Sequence, residues 1–157
     1  MDKITPFLWF DRQAEEAARF YVSLFDDSEI LQVTHYSEGM PMPKGTVLTV
    51  VFRLAGREYI ALNGGPEQKL SPAFSLTVNC KDQREIDHYW AKLGEGGKDI
   101  QCGWLVDRFG LSWQVVPENI QQLLSSEHPE KANRVLQAIM GMVKLDKAAL
   151  ERAYNGG

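Results

Sequence analysis

The sequence predicts an α+β fold: two β-α-β-β-β modules forming a curled mixed sheet around a cleft, with helices outside and a helical C-terminal extension. Three observations predict it. First, L-W-F-D-R-Q-A-E-E-A-A-R-F-Y-V-S-L from Leu8 and L-T-V-N-C-K-D-Q-R-E-I-D-H-Y-W-A-K-L from Leu76 both pass from an apolar strand-like run into a helix-like one. At an offset of 69, Glu16 falls on Glu85, Phe20 on Tyr89, Tyr21 on Trp90 and Leu24 on Leu93. Second, G-R-E-Y-I-A-L from Gly56 is echoed by G-L-S-W-Q-V-V from Gly110, at an offset of 54. Third, strands in both halves alternate apolar and small or polar side chains, the period-2 pattern of a sheet with one covered face. A duplicated chain implies two like modules packed about a pseudo-twofold, with a shared cleft between them.

The elements follow in order. Residues 4–10 read as a strand, and Gln13 to Phe25 as a helix, with Ala14, Ala17, Ala18, Tyr21 and Leu24 at helical spacing. Asp11 is the expected N-cap, with Glu15 and Glu16 in the first turns, where the helix dipole favours acidic groups. Residues 29–36 read as a second strand, and Met40 to Gly45 (M-P-M-P-K-G) as a loop punctuated by Pro and Gly. Thr46 to Leu54 and Arg57 to Asn63 read as a hairpin joined at Ala55-Gly56. After the Gly64-Gly65-Pro66 turn the pattern restarts, with a strand at 73–79, a helix at 82–93 and shorter strands near 99–105 and 112–116. Pro117 closes the second module. The chain thus reads as one domain, with module 1 at about 1–64, module 2 at about 70–117 and a helical tail at 118–157.

The tail opens with a short helical piece from Glu118 to Leu124. Pro129 occupies a favourable helix-start position, and Val135, Leu136, Ile139, Met140 and Val143 mark an apolar stripe. Asp146 can cap a last helix running to Tyr154. That stripe, with Leu145, Leu150 and Tyr154, is more apolar surface than a short tail needs. One reading of the tail is a helical cover packed on its own domain. The other is that the stripe also contributes to a contact between copies, and on that reading a homodimer is expected, closed twofold pairing being the commonest oligomeric state.

Composition bounds the partners. The chain has 157 residues, 44% hydrophobic and 24% charged, with a formal net charge of −4. That charge argues against a partner whose phosphates need a basic face, so no nucleic-acid partner is expected. No apolar run approaches the roughly 18 residues that span a bilayer, so no membrane partner is expected either. M-D-K-I-T-P carries no secretory h-region. Cys80 and Cys102 then read as free thiols in a reducing compartment, and a cytoplasmic location is expected.

Face assignment locates a candidate pocket. Along residues 73–79, Phe74, Leu76 and Val78 are expected on the helix side, leaving Ala73, Ser75, Thr77 and Asn79 on the cleft side. In the first strand Ile4, Leu8 and Phe10 are expected towards the helix, and Thr5, Phe7 and Trp9 towards the cleft. A concave sheet face bearing aromatics with a few amides and hydroxyls matches a small-molecule site. The candidate ligand-pocket residues are Phe7, Trp9, Asn63, Thr77, Asn79, Cys102, Trp104 and Gln114.

These residues resemble a family. I-T-P-F-L-W-F-D with A-E-E-A-A-R-F-Y, A-L-N-G-G-P, V-N-C, Y-W-A-K-L and Q-C-G-W-L-V-D-R-F-G-L-S-W-Q-V-V-P are similar to the PhnB-like branch of the vicinal-oxygen-chelate superfamily, as is the tail K-L-D-K-A-A-L-E-R-A-Y. The superfamily includes glyoxalase I, bleomycin-resistance proteins and extradiol dioxygenases, and the branch carries the label 3-demethylubiquinone-9 3-methyltransferase. The Q-C-G-W…D-x-x-G-x-x-W-Q run is the most specific part. The resemblance implies a divalent metal held by His, Glu or Gln from cleft-facing strands, acting as a Lewis acid. In this sequence the ligand positions fall on Thr5 or Pro6, near Ala61, on Ala73 or a neighbour, and on Gln114. Of these only Gln114 has a ligating side chain of the right kind, while His35, His88 and His128 lie elsewhere. No metal and no other cofactor are therefore expected.

Other catalytic constellations are missing from the sequence. There is no G-x-S-x-G elbow, no P-loop and no glycine-rich dinucleotide turn after a strand. Methyltransferases usually hold S-adenosylmethionine at such a turn in a parallel sheet, so methyl transfer is not expected. Cys102 is the one potential nucleophile. The expected function is binding of a small molecule in the inter-module cleft, in the manner of glyoxalase/bleomycin-resistance proteins and without a metal. The alternative is a lyase, isomerase or dioxygenase with an atypical site around Cys102, Gln114 and Asn79.

Overall fold

The computed structural model describes residues 2–157, which divide into two compact units, one up to Leu70 and one from Ser71 to Gly157. The first unit contains β1 (Phe7–Phe10), α1 (Ala14–Val22), β2 (Glu29–His35), β3 (Val47–Leu54) and β4 (Arg57–Asn63). Its sheet order is β1-β4-β3-β2, with β1 and β4 parallel and the other pairs antiparallel. Ala55 and Gly56 close the β3–β4 hairpin with φ of 48° and 85°, the left-handed pair that matches strand twist. One face of α1, formed by Ala14, Ala17, Ala18 and Tyr21, is fully buried on this sheet. Leu8, Phe10, Phe52 and Ala61 meet it from the strands, and the Tyr21 and Phe52 rings lie 6.4 Å apart. Burying each such large apolar side chain contributes about 1.5–3 kcal/mol. Ile4, expected on the helix side, instead lies outside β1 and is exposed, because the strand begins only at Phe7.

The start of α1 departs from expectation. The N-cap position is Gln13, which makes no side-chain cap, and Asp11 sits two residues too early to serve. The Ala14 N–H donates instead to the Asn63 side-chain carbonyl at 2.8 Å, so the end of β4 caps the helix across the sheet.

The second unit repeats the plan with β5 (Ser75–Cys80), α2 (Gln83–Gly94), β6 (Lys98–Asp99), β7 (Trp104–Val106) and β8 (Ser112–Pro117). The order β5-β8-β7-β6, with β5 and β8 parallel, is the order of the first sheet. The stretch expected as a strand near 99–105 is two short strands around a turn at Ile100–Gly103, which completes the β-α-β-β-β count. Phe74, expected on the helix side, precedes β5 and is half exposed. Here Asp82 does cap its helix, accepting from the Glu85 N–H at 2.9 Å, while the Glu85 carboxylate accepts from Lys81 N–H.

This difference in capping explains the sequence echo. Phe10 pairs with Asn63 as Cys80 pairs with Pro117, which sets β1 and β5 at an offset of 70 and β4 and β8 at an offset of 54. The helices start at Ala14 and Gln83, an offset of 69. Module 1 has one extra residue between strand and helix. Asp11 directly follows its strand whereas Asp82 lies second after its own, so Asp11 falls two residues short of the cap, and Asn63 supplies the acceptor that Gln13 does not.

The tail forms α3 (Ile120–Leu123), α4 (Pro129–Met140) and α5 (Lys147–Asn155). Asp146 caps α5 by accepting from Ala149 N–H at 3.0 Å, and Gly156, with φ of 83°, ends it in a left-handed turn. Val116, Ile120, Leu123, Val135, Ile139, Leu145 and Leu150 make a small core of their own. The apolar stripe is therefore divided. Val135, Leu145 and Leu150, counted from sequence towards a dimer contact, are at most 1% exposed inside that core, whereas Leu136, Met140 and Val143 remain 45–62% exposed.

Candidate functional site: an amide-floored cavity in the second module

Alternation along β5 sends Val78 and Cys80 into the core beneath α2 and turns Thr77 and Asn79 the other way. In β8, Trp113 and Val115 are buried while Gln114 is only partly so. Register then lines up Thr77, Gln114 and Trp104 as one row across β5, β8 and β7. These residues, with Asn79, Cys102 and Val116, floor a cavity of about 390 Å³. Its other wall comes from the tail: Ile120, Gln121, Leu124, Leu136, Ile139 and Met140. Thr77, Asn79, Cys102, Trp104 and Gln114 were all legible as candidates in the sequence, and the structure brings them together. The tail wall was missed. Its amphipathic stripe was the available signal, and it reads in the sequence as a cover for its own domain or as a dimer contact, with neither reading placing it on a pocket.

The site is polar without being charged. The Gln114 side-chain N–H donates to the Ser75 hydroxyl at 3.0 Å, which fixes the amide plane and leaves its carbonyl towards other donors. No Lys, Arg, His, Asp or Glu lines the cavity, and the Cys102 thiol is its one ionisable side chain. The other thiol, Cys80, lies outside the cavity, fully buried. Burial, and then the carboxylates of Glu85 and Asp82, push it up to about 12, which makes it inert as a nucleophile.

The candidates in the first module are occupied in different ways. Trp9 donates its indole N–H to the Gly65 carbonyl at 2.9 Å, and its ring lies against Gly64, where an added Cβ would come within 2.4 Å of Cε2. Asn63 uses its carbonyl on Ala14 N–H and its amide N–H on the Val47 carbonyl at 3.0 Å, so both ends of the side chain serve the module. Phe7 is 54% exposed.

The most specific sequence run also has a structural explanation. Asp107 is 3% exposed; one carboxylate oxygen accepts from Phe109 and Leu111 N–H, and the other from the Trp113 indole at 2.8 Å. That is the D-x-x-G-x-x-W pattern, folded into one buried turn. In Q-C-G-W, Cys102 and Gly103 both have left-handed φ, 62° and 84°. Their N–H groups donate to Met142 and Val143 carbonyls, each at 2.8 Å. A Cβ on Gly103 would lie 2.9 Å from Leu145 Cγ. The motif is the dock for the tail.

The donor set does not fit a metal of the superfamily type. Ala61 is fully buried on the helix side, and its neighbours Ile60 and Leu62 are hydrocarbon. Thr5 precedes β1 and donates to the Asp2 carbonyl, and Ala73 lies ahead of β5. Only Gln114 remains, against the three or four ligands such a site needs. Among the described residues no group of three or more His, Cys, Asp or Glu is placed to hold a metal ion. No helix among them is long and apolar enough to cross a membrane.

Comparison with known proteins fits this architecture. The family model for 3-demethylubiquinone-9 3-methyltransferase matches residues 2–116. The chain belongs to this PhnB-like family. A Bacillus cereus protein carrying both the PhnB and the 3-demethylubiquinone-9 3-methyltransferase names is 38% identical, with a TM-score of 0.67 over 73% of this chain and 99% of its own. A Pseudomonas aeruginosa protein is 19% identical, with a TM-score of 0.61 over 74% of this chain and 98% of its own. The Listeria monocytogenes fosfomycin resistance protein FosX is 12% identical, with a TM-score of 0.56 over 79% and 97%, and shares the fold. No protein of curated function matches the chain. The PhnB-like match ends at Val116, so the tail, which resembles the branch in sequence, lies outside it.

Proposed function

We propose that this PhnB-like chain is a small-molecule-binding protein of the glyoxalase/bleomycin-resistance type, which takes its ligand in the second-module cavity and needs no metal. One observation carries the reading: a cavity of about 390 Å³ with hydroxyl and amide groups on its floor and apolar helices opposite. That combination of shape and sparse polarity is what small-molecule sites have in common. Methyl transfer is not part of the reading, because each sheet has a single parallel pair rather than the parallel sheet that usually carries S-adenosylmethionine. Binding alone suits a cavity whose one ionisable side chain is the Cys102 thiol. The Leu136, Met140 and Val143 side chains also show an exposed flank to solvent, and we propose that a second copy of the chain covers it. Both cysteines are free thiols, which supports a cytoplasmic location.

The test is a thermal-shift screen of small molecules against the wild type and Thr77→Trp. Thr77 is exposed on a strand, where an indole is tolerated, and the larger side chain fills the cavity. Hits should stabilise the wild type by mass action and leave the variant unmoved. Hits that stabilise both equally would place binding elsewhere. Ni²⁺ or Zn²⁺ should leave Tm unchanged, and a rise of several degrees would refute metal independence.

A further inference from the structure

The tail wall of the cavity lies in a part of the chain that the family match does not reach. The match ends at Val116, and the Bacillus cereus protein matches 73% of this chain. Ile120, Leu124, Leu136, Ile139 and Met140 from that part form a hydrocarbon wall, with Gln121 as its polar member. On the floor opposite, Thr77, Asn79 and Gln114 present neutral donors and acceptors. The side chains of Thr77, Asn79 and Gln121 make no hydrogen bond among the described residues, so all three are available to a ligand.

The wall is held rather than draped. Cys102 and Gly103 N–H groups bind the Met142 and Val143 carbonyls, and Gly103 lets Leu145 approach closer than any Cβ would permit. Gln83 on α2 donates to the Leu145 carbonyl at 3.1 Å and accepts from Lys147 N–H at 2.8 Å. Lys144 pairs with Asp87 at 2.8 Å. A fixed wall leaves less entropy to lose when a ligand enters.

We propose that the helical extension makes this site selective for an uncharged small molecule with an apolar, ring-sized body and one hydrogen-bonding end. The proposal rests on the small-molecule reading above. A charged group entering this cavity gains no counter-charge, since no ionisable side chain other than the Cys102 thiol lines it, and it exchanges part of its water for the hydrocarbon of the tail wall. A neutral amide or hydroxyl loses less and recovers hydrogen bonds from the floor.

The experiment uses two probes of the same body, 2-naphthamide and 2-naphthoate, titrated at pH 7.5 and read by tryptophan fluorescence, Trp104 being part of the floor. The amide should bind at least about ten-fold more tightly than the carboxylate. Leu136→Lys, at a half-exposed wall position that tolerates a long side chain, should weaken the amide and strengthen the carboxylate. Equal or tighter binding of naphthoate to the wild type, or an unchanged ratio in the variant, overturns the proposal while leaving small-molecule binding intact. Binding of neither probe overturns both. Loss of both as protein concentration rises would mean that the second copy proposed on the flank of Leu136 and Met140 closes the cavity as well, and also overturns the proposal.

Discussion

Asn63 shows how a single residue can answer for a missing neighbour. An acidic residue just after a strand reads as a helix cap, and Asp11 stands there, but the helix begins only at Ala14, with Gln13 in the cap position, and leaves it out of reach. Asn63 supplies the acceptor from another strand and pins the Val47 carbonyl with its amide. Asn63→Ala leaves a buried N–H and a carbonyl without partners, and should cost about 2–4 kcal/mol in urea denaturation. Cys80 makes a second prediction. Burial first, then Glu85 and Asp82, raise its folded value from 9.0 to about 12. A raised value means that the folded chain holds the proton more tightly, so the contribution is complete below pH 9 and falls away between pH 9 and 12. Tyr59, also raised chiefly by burial, acts in the same direction. Denaturation midpoints should drop across that range, and Cys80→Ala should flatten the drop. At pH 8 a thiol reagent should label Cys102 in the native protein and Cys80 only after unfolding.

At the scale of elements, the decisive contact is the tail on the second module. Gln83 bridges Leu145 and Lys147 and also donates to Asp87, so three hydrogen bonds depend on one side chain. Gln83→Ala should cost about 1–2 kcal/mol and speed proteolysis between α4 and α5. Gly103→Ala should cost more, about 1–3 kcal/mol, because a left-handed φ and a 2.9 Å approach to Leu145 coincide there. Both variants should weaken ligand binding along with stability, since both loosen the wall. The Asp87 carboxyl is held below its usual range by hydrogen bonds from Lys144 and then Gln83. That contribution is present above the ordinary carboxylate range and is lost as pH falls through the depressed value, so the tail contact should loosen in acid.

For the whole molecule the prediction is a homodimer. The exposed flank of Leu136, Met140 and Val143 is what a second copy would cover. Sedimentation at micromolar concentration should give a species near twice 17.8 kDa, and a single species at the monomer mass would refute it. Met140→Glu, at 62% exposure, should shift the equilibrium to monomer without lowering the denaturation midpoint, because Val135 and Ile139 hold the tail core from the other side of α4.

The sequence by itself determined the module plan. Strand and helix periods are local properties, so the β-α-β-β-β order, the outward set Thr77, Asn79 and Gln114, and the Pro129 and Asp146 helix starts could all be read directly. Only the tertiary structure decided how α1 is capped, which half of the α4 stripe is core, and that Cys102-Gly103 receives the tail. These depend on contacts between residues distant along the chain, such as Ala14 with Asn63 and Gly103 with Leu145. A stripe of apolar residues shows that a face will be covered. What covers it is settled by where the rest of the chain returns.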